Sequence, residues 1–454
     1  MKYAKQLGLG LLLMSLSVPA TAVGAEIKRL EGTLSSGFPY MIAVPSDWNG
    51  IVINDLDAIA NQNGKFAAYL LDHGYAYSGT GRHPERMTRH DPLTELDAQV
   101  AVLKMVRERF ATPKYAIQYG CSGGGFVSLA MAEKHADVID GAVAFNARGT
   151  GGMAVANMWL DLPFTLKALL APASDLLMAP VPNDALPAAY EAWKLVLERA
   201  QQTAQGRARI ALAVAVSQWP TWGAIKDPPM KRPAGDLASL QSAMIKSASD
   251  GLANAITRRQ LYDNPSGLAS WNTDVDYAKF YELGADPEQK IIVSKLYEEA
   301  GLGGEGIAHD LAGINQQPRI AGTPSGVHYW LEPGRLLDGN IKVPLFHAHG
   351  LGDALLPPHL LAGYLTAVEA RNKTELYRRA FVDAAGHCET SVSEAMAAIG
   401  AMVDRLRTGK WGPSDAAVLN HAGAALGLTG PRFVDYGFST PFNRAFYPNS
   451  MHPF

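Results

Sequence analysis

The 454-residue sequence contains only two cysteines, too few for a thiolate metal cage or a disulfide-rich scaffold. Past the N-terminal region, no stretch offers about 18 uninterrupted apolar residues, so no membrane anchor is expected. Charged residues make up 18% of the chain and the formal net charge is −3. No basic block or aromatic-interleaved positive patch occurs, which argues against nucleic acid as a partner. Repeats and low-complexity segments are also missing.

What is there begins at the N-terminus. Lys2 and Lys5 precede an apolar stretch from Leu7 to Val18, then small residues ending in Ala20-Thr21-Ala22 or Val23-Gly24-Ala25. A positive flank, a short apolar segment and an Ala-x-Ala site read as a signal peptide over residues 1–25, removed from the mature protein. No cysteine sits at the cleavage site to take a lipid, and there is no twin-arginine pair. A periplasmic or secreted protein is expected. In that compartment Cys121 and Cys388 are free to bond; the alternative is two unrelated buried thiols.

A mature chain of about 430 residues exceeds a typical single domain. Residues 26–34, 38–44 and 51–53 suit strands, 62–73 a helix, 75–78 a strand and 91–110 a helix. The alternation continues with a strand at 115–119, a helix at 126–135 and a strand at 139–145. This interval predicts an α/β fold, a parallel sheet with helices on both faces. From 150 to 338 convincing strands vanish, and Ala- and Leu-rich helical stretches (187–217, 236–262, 287–300) are separated by Pro-rich links. Alternation resumes with a strand at 343–350, a helix at 357–371, a strand at 376–382 and a helix at 389–407. A sheet-based core, 26–149 and 339–454, therefore carries a large, mainly helical insertion, 150–338. The last 45 residues, rich in Pro, Gly and aromatics, are expected to drape on the core.

Each cysteine adjoins a residue suited to hydrolytic chemistry. Cys121 precedes Ser122 in Gly120-Cys121-Ser122-Gly123-Gly124, a Gly-x-Ser-x-Gly pattern, and Cys388 follows His387. An apolar strand leads into Ser122 and a helix leads out. The glycines permit a sharp turn that lifts the hydroxyl above the sheet edge, and the helix N-terminus adds partial positive charge. The bland alternative is a Gly-rich turn needed only for packing. Asp353 lies just past one strand and His387 just past the next. Ser122 as nucleophile, His387 as base and Asp353 as the acid that holds the ring would complete a triad; Asp383 is the runner-up acid. Gly123 N–H supplies one oxyanion donor, and Leu56, in the loop 54–57, is the choice for the other.

His347 and His349 form an H-x-H without a third ligand at a metallohydrolase spacing, so neither metal nor cofactor is expected. His73, His83, His90, His135 and His359 read as surface or capping residues. Trp159, Trp193, Trp219, Trp222, Trp271 and Trp330 fall in the insertion, either as an apolar pocket for an aromatic or acyl group or as a core of its own. Arg258-Arg259 suit a substrate carboxylate or a plain helix surface.

At Cys121-Ser122, Asp353 and His387-Cys388, with Gly120, Gly123, Pro357 and Pro358 around them, the chain resembles the α/β-hydrolase superfamily. More narrowly it is similar to the tannase and feruloyl-esterase-like group, known for a Cys-Ser…Asp…His-Cys arrangement. The resemblance implies a bonded cysteine pair, an insertion serving as a lid over the substrate pocket, and hydrolysis of carboxylic esters, often aromatic ones. That group usually carries further disulfides and often a calcium site in the lid. This chain has no spare cysteine and no Asp-rich loop, which points to a distinct esterase branch. The expected function is a secreted or periplasmic serine hydrolase acting on a small-molecule or polymeric ester through an acyl-enzyme. A serine peptidase or amide acylase on the same fold is the second reading, and a catalytically silent binding module the third.

Overall fold

The computed structural model describes residues 25–88, 90–225, 232–263, 267–428 and 430–437. The signal segment read at the N-terminus lies outside them, apart from Ala25. Among the described residues, β1 (Ile27–Thr33), β2 (Pro39–Pro45), β3 (Ile51–Asp55), β4 (Ala76–Thr80), β5 (Tyr115–Cys121), β6 (Gly141–Phe145), β7 (Leu345–Gly352), β8 (Tyr377–Ala385) and β9 (Phe433–Val434) form one sheet. Their order is β1-β2-β4-β3-β5-β6-β7-β8-β9. The β1–β2 and β2–β4 pairs are antiparallel, the strands from β4 through β3 to β8 are parallel, and β9 adds an antiparallel edge.

Strands β3, β4, β6 and β7 are buried at every position, the pattern of a sheet covered on both faces. Successive side chains point to opposite faces. Ile42, Val44, Val52, Ala142 and Ala144 pack under the helices Pro92–Arg109, Gly123–Lys134 and His359–Ala370. Met41, Ala43, Ile53, Val143 and Phe145 meet Lys65–Asp72 and Val392–Thr408 on the other side.

The chain between β6 and β7 is mainly helical where described. Its longer helices are Gly152–Leu170, Leu186–Gln201, Ala204–Val216, Leu237–Thr257, Pro287–Glu299 and Gly303–Gln316. They share an apolar core that also takes in Leu355, Leu356 and Leu360 from beyond β7. The insertion is thus packed onto the sheet just past Asp353. No helix among the described residues is long and apolar enough to cross a membrane.

Two elements differ from expectation. Helix Gly152–Leu170 is buried nearly all round and contains Pro163, so it lacks the amphipathic period that reveals a helix in sequence. The C-terminal region does more than drape. Asp415 caps a helix at Ala416–Ala424, and β9 pairs Phe433 and Val434 with Val382 and Phe381. A two-residue strand has no period to read.

Candidate active site

Strand β5 ends at Cys121 and helix Gly123–Lys134 begins two residues later. Ser122 makes the turn at φ 60° and ψ −120°, a sparsely populated conformation for a residue with a side chain. The turn is tight enough that a Cβ on Gly120 would lie 2.5 Å from the Gly124 carbonyl carbon. Ser122 N–H donates to the Phe145 carbonyl at 3.1 Å, which ties the elbow to the end of β6. The half-buried hydroxyl residue sits at the carboxyl ends of the parallel strands, where open α/β sheets place their ligands.

A register shift between Gly350 and Gly352 ends β7 and delivers Asp353 into a fully buried position. Its Oδ1 accepts the N–H groups of Leu355 and Leu356, both at 2.9 Å. Its Oδ2 accepts Asn146 Nδ2 at 2.7 Å and meets His387 Nδ1 at 2.8 Å. Burial alone would raise the Asp353 pKa, but His387 beside it, its hydrogen bond, His349 and Asn146 together hold it below the usual carboxylate value. The carboxylate stays charged and fixes the His387 proton on Nδ1. Nε2 of His387 is then the basic nitrogen; it is buried and has no hydrogen-bond partner among the described residues.

The base loop is fastened to the elbow. Cys121 and Cys388 form a disulfide with Cα atoms 5.9 Å apart across 267 positions. The residue before Ser122 is thereby bonded to the residue after His387. The insertion braces the same place: Ala224 N–H donates to the Gly352 carbonyl at 3.2 Å, and the Ile225 carbonyl accepts His387 N–H at 3.5 Å.

Leu56 is fully buried, with its Cβ 3.6 Å from where a Cβ on Gly124 would stand. The neighbouring Asp57 N–H is turned inward to Asp55 Oδ1 at 2.9 Å and is not available to a ligand. A cavity of about 450 Å³ reaches Ser122 and is walled by Asp55, Asp57, Phe66, Tyr119 and Val392.

Several expectations need correction. Asp383 pairs with Arg232 at 3.0 Å, away from His387, and is not the acid. His90 and His359 are buried rather than superficial. His347 and His349 are spoken for by Tyr377 Oη at 2.9 Å and the Leu356 carbonyl at 2.8 Å, and burial lowers the pKa of both. Arg259 is buried and paired with Asp263 at 2.9 Å, so it is neither a surface residue nor open to substrate. On the two readings left open for the insertion tryptophans, all six are buried; Trp159, Trp193, Trp219, Trp271 and Trp330 belong to its apolar core, and Trp222 packs apart from it with Ala224, Ala243 and Ala385. Asn146, Arg82 and Arg148 were not singled out by sequence. The readable trace of Asn146 is an asparagine directly after a buried strand, where it adopts φ 43°.

No family model matches the chain. An esterase from Aspergillus oryzae is 15% identical, with 84% of this chain and 80% of that chain covered at a TM-score of 0.39. Feruloyl esterase B from the same organism is 14% identical, with the same coverage and a TM-score of 0.34. Neither likeness is close enough to inform the chemistry, and the fold assignment stands on the strand order and the elbow after β5. In sequence, the o-phthalyl amidase of Xanthobacter agilis is 37% identical over 453 residues, covering 92% of this chain and 96% of that protein. The chain belongs to the family of that amidase and is a hydrolase built on the α/β-hydrolase fold.

Proposed function

We propose that the protein is a serine hydrolase that cleaves an amide of an aromatic carboxylic acid through an acyl-enzyme on Ser122. The observation that carries this reading is the buried Asp353–His387 pair at 2.8 Å, bonded through Cys388 to the residue before Ser122. Ser122 Oγ attacks the carbonyl carbon while His387 Nε2 takes its proton, and Asp353 stabilises the resulting imidazolium. The N–H groups of Gly123 and Leu56 receive the oxyanion. His387 then returns the proton to the leaving nitrogen and the amine departs. A water molecule, deprotonated by His387, releases the acid and restores Ser122.

The amide preference is supported by the 37% identical amidase. Ester cleavage is the second reading, favoured by the Cys121-Ser122, Asp353, His387-Cys388 arrangement shared with the tannase and feruloyl-esterase-like group. The two are compatible in chemistry, since a site able to protonate and expel an amine also expels an alkoxide. The helical insertion, whose Ala224 and Ile225 hydrogen-bond to the backbone of Gly352 and His387, is read as the cover of the site on that side. Export to the periplasm or medium is supported by the disulfide, which persists in an oxidising compartment.

The test is kcat/KM for a p-nitroanilide and a p-nitrophenyl ester of the same aromatic acid. Turnover of both, abolished by Ser122→Ala, is expected. Ester turnover with no anilide cleavage would return the assignment to a carboxylesterase.

A further inference from the structure

The cavity of about 450 Å³ that reaches Ser122 is built from the sheet core. Its lining residues fall within 55–66, 119–122 and 388–395, and none of the described residues of the insertion contributes. The resemblance noted in the sequence implies a pocket under the insertion. This cavity is a separate opening onto the same serine.

It lies to one side of the elbow. Cys121 and Cys388, whose disulfide joins the residue before Ser122 to the residue after His387, both line it, and Thr390 and Ser391 continue that wall. The proposed oxyanion donors Gly123 and Leu56 do not line it. Gly123 is backed by arginines instead, since a Cβ there would run into the guanidinium groups of Arg82 and Arg148. The cavity thus opens beside the loop that carries the base.

Its walls are aromatic and apolar. Phe66, from helix Lys65–Asp72, and Tyr119, from β5, have ring centroids 4.7 Å apart at 32° and form one surface. Val392 and Ala395 come from helix Val392–Thr408. Tyr119 is buried, whereas Asn61, Gly64 and Lys65 are exposed and mark the mouth. The buried Asp55 carboxylate already accepts Asp57 N–H, Tyr77 Oη and Asn61 Nδ2. Recognition therefore falls to the rings.

We propose that this cavity binds the leaving half of the substrate, an amine whose aromatic ring lies against Phe66 and Tyr119. The proposal rests on the acyl-transfer reading above. When the tetrahedral intermediate collapses, the C–N bond breaks, its electron pair stays on nitrogen, and His387 supplies the proton that completes the neutral amine. The nitrogen must leave within reach of the base, on the side where Cys388 lines the cavity. A ring placed there gains from removal of apolar area from water and from offset or edge-on contact with the aromatic wall.

The test takes one aromatic acid whose p-nitrophenyl ester the protein turns over, and compares its N-benzyl and N-methyl amides, each relative to its rate with hydroxide. The wild type should favour the N-benzyl amide by about thirtyfold in kcat/KM. Separately, benzylamine added during ester turnover should divert the acyl-enzyme to the N-benzyl amide and saturate. Methylamine at the same free-base concentration should not saturate. This interception decides even where neither amide is cleaved measurably. Phe66→Ala, which removes the wall, and Val392→Trp, which fills the space, should each bring both readouts to within a few-fold of the methyl compounds. If one variant does not fold, the other and the wild-type interception decide. Interception linear in both amines, the result if the acyl half sits there instead, overturns the leaving-group subsite alone. So does a benzyl preference that survives in the folded variants. No turnover of any aromatic ester overturns the acyl-transfer reading on which the subsite rests.

Discussion

Asp353 has no exposed surface and four hydrogen-bond partners on its two oxygens. Replacing it by asparagine would set an N–H₂ either against the Leu355 and Leu356 N–H groups on the Oδ1 side or against Asn146 and the His387 Nδ1 proton together on the Oδ2 side, the latter forcing the imidazole into the wrong tautomer. Asp353→Asn is expected to lower kcat by about 10⁴-fold, measured with the anilide and ester substrates; a loss below tenfold would remove the residue from the triad. The positions of Ser122, Asp353 and His387 just past strand ends are legible in sequence because strand, turn and glycine context mark them locally. Asn146 and Arg148 were not, since their partners lie 207 and 58 positions away. His90 was misread for the same reason. Nothing near it in sequence announces that a guanidinium will bury it.

Among the elements, the disulfide joins the end of β5 to the loop after β8, and Cys121 and Cys388 each adjoin a residue of the proposed triad. Closing so long a loop stabilises a fold by up to about 5 kcal/mol, often less. The double variant Cys121→Ala/Cys388→Ala should lose about 2–5 kcal/mol of stability and show a lower kcat, read by calorimetry and steady-state kinetics. An unchanged thermal midpoint and rate would mean that packing alone seats the base. The core strands were readable because both-face burial leaves continuous apolar runs. Helix Gly152–Leu170 and β9 escaped because one is buried all round and the other is two residues long. Six tryptophans in one segment fit a pocket or a core equally well; only the packing assigns five of them to the core and sets Trp222 apart with Ala385.

At the scale of the molecule, Glu133 buttons the return of the insertion to the sheet. Its carboxylate accepts Tyr364 Oη and Gly339 N–H, both at 2.8 Å. Burial lifts its pKa from 4.5 to about 7. The unfolded chain therefore sheds this proton near the lower value while the native state keeps it to the higher, so stability falls as pH rises between them. Glu133→Gln keeps the acceptor and removes the titration. It should abolish that decline and be roughly 2 kcal/mol more stable than wild type at pH 8, measured by calorimetry across pH 4–8. Parallel curves for the two proteins would show that Glu133 titrates normally.

The central claim is that Ser122 becomes acylated with His387 as its base. Its most direct measurement is intact-mass and peptide mapping of the protein after brief incubation with a fluorophosphonate and, separately, an activated aromatic ester. A single adduct on the peptide carrying Ser122, absent in Ser122→Ala and strongly slowed in His387→Ala, is the predicted result. An adduct elsewhere, or none under conditions where substrate is turned over, would contradict the account.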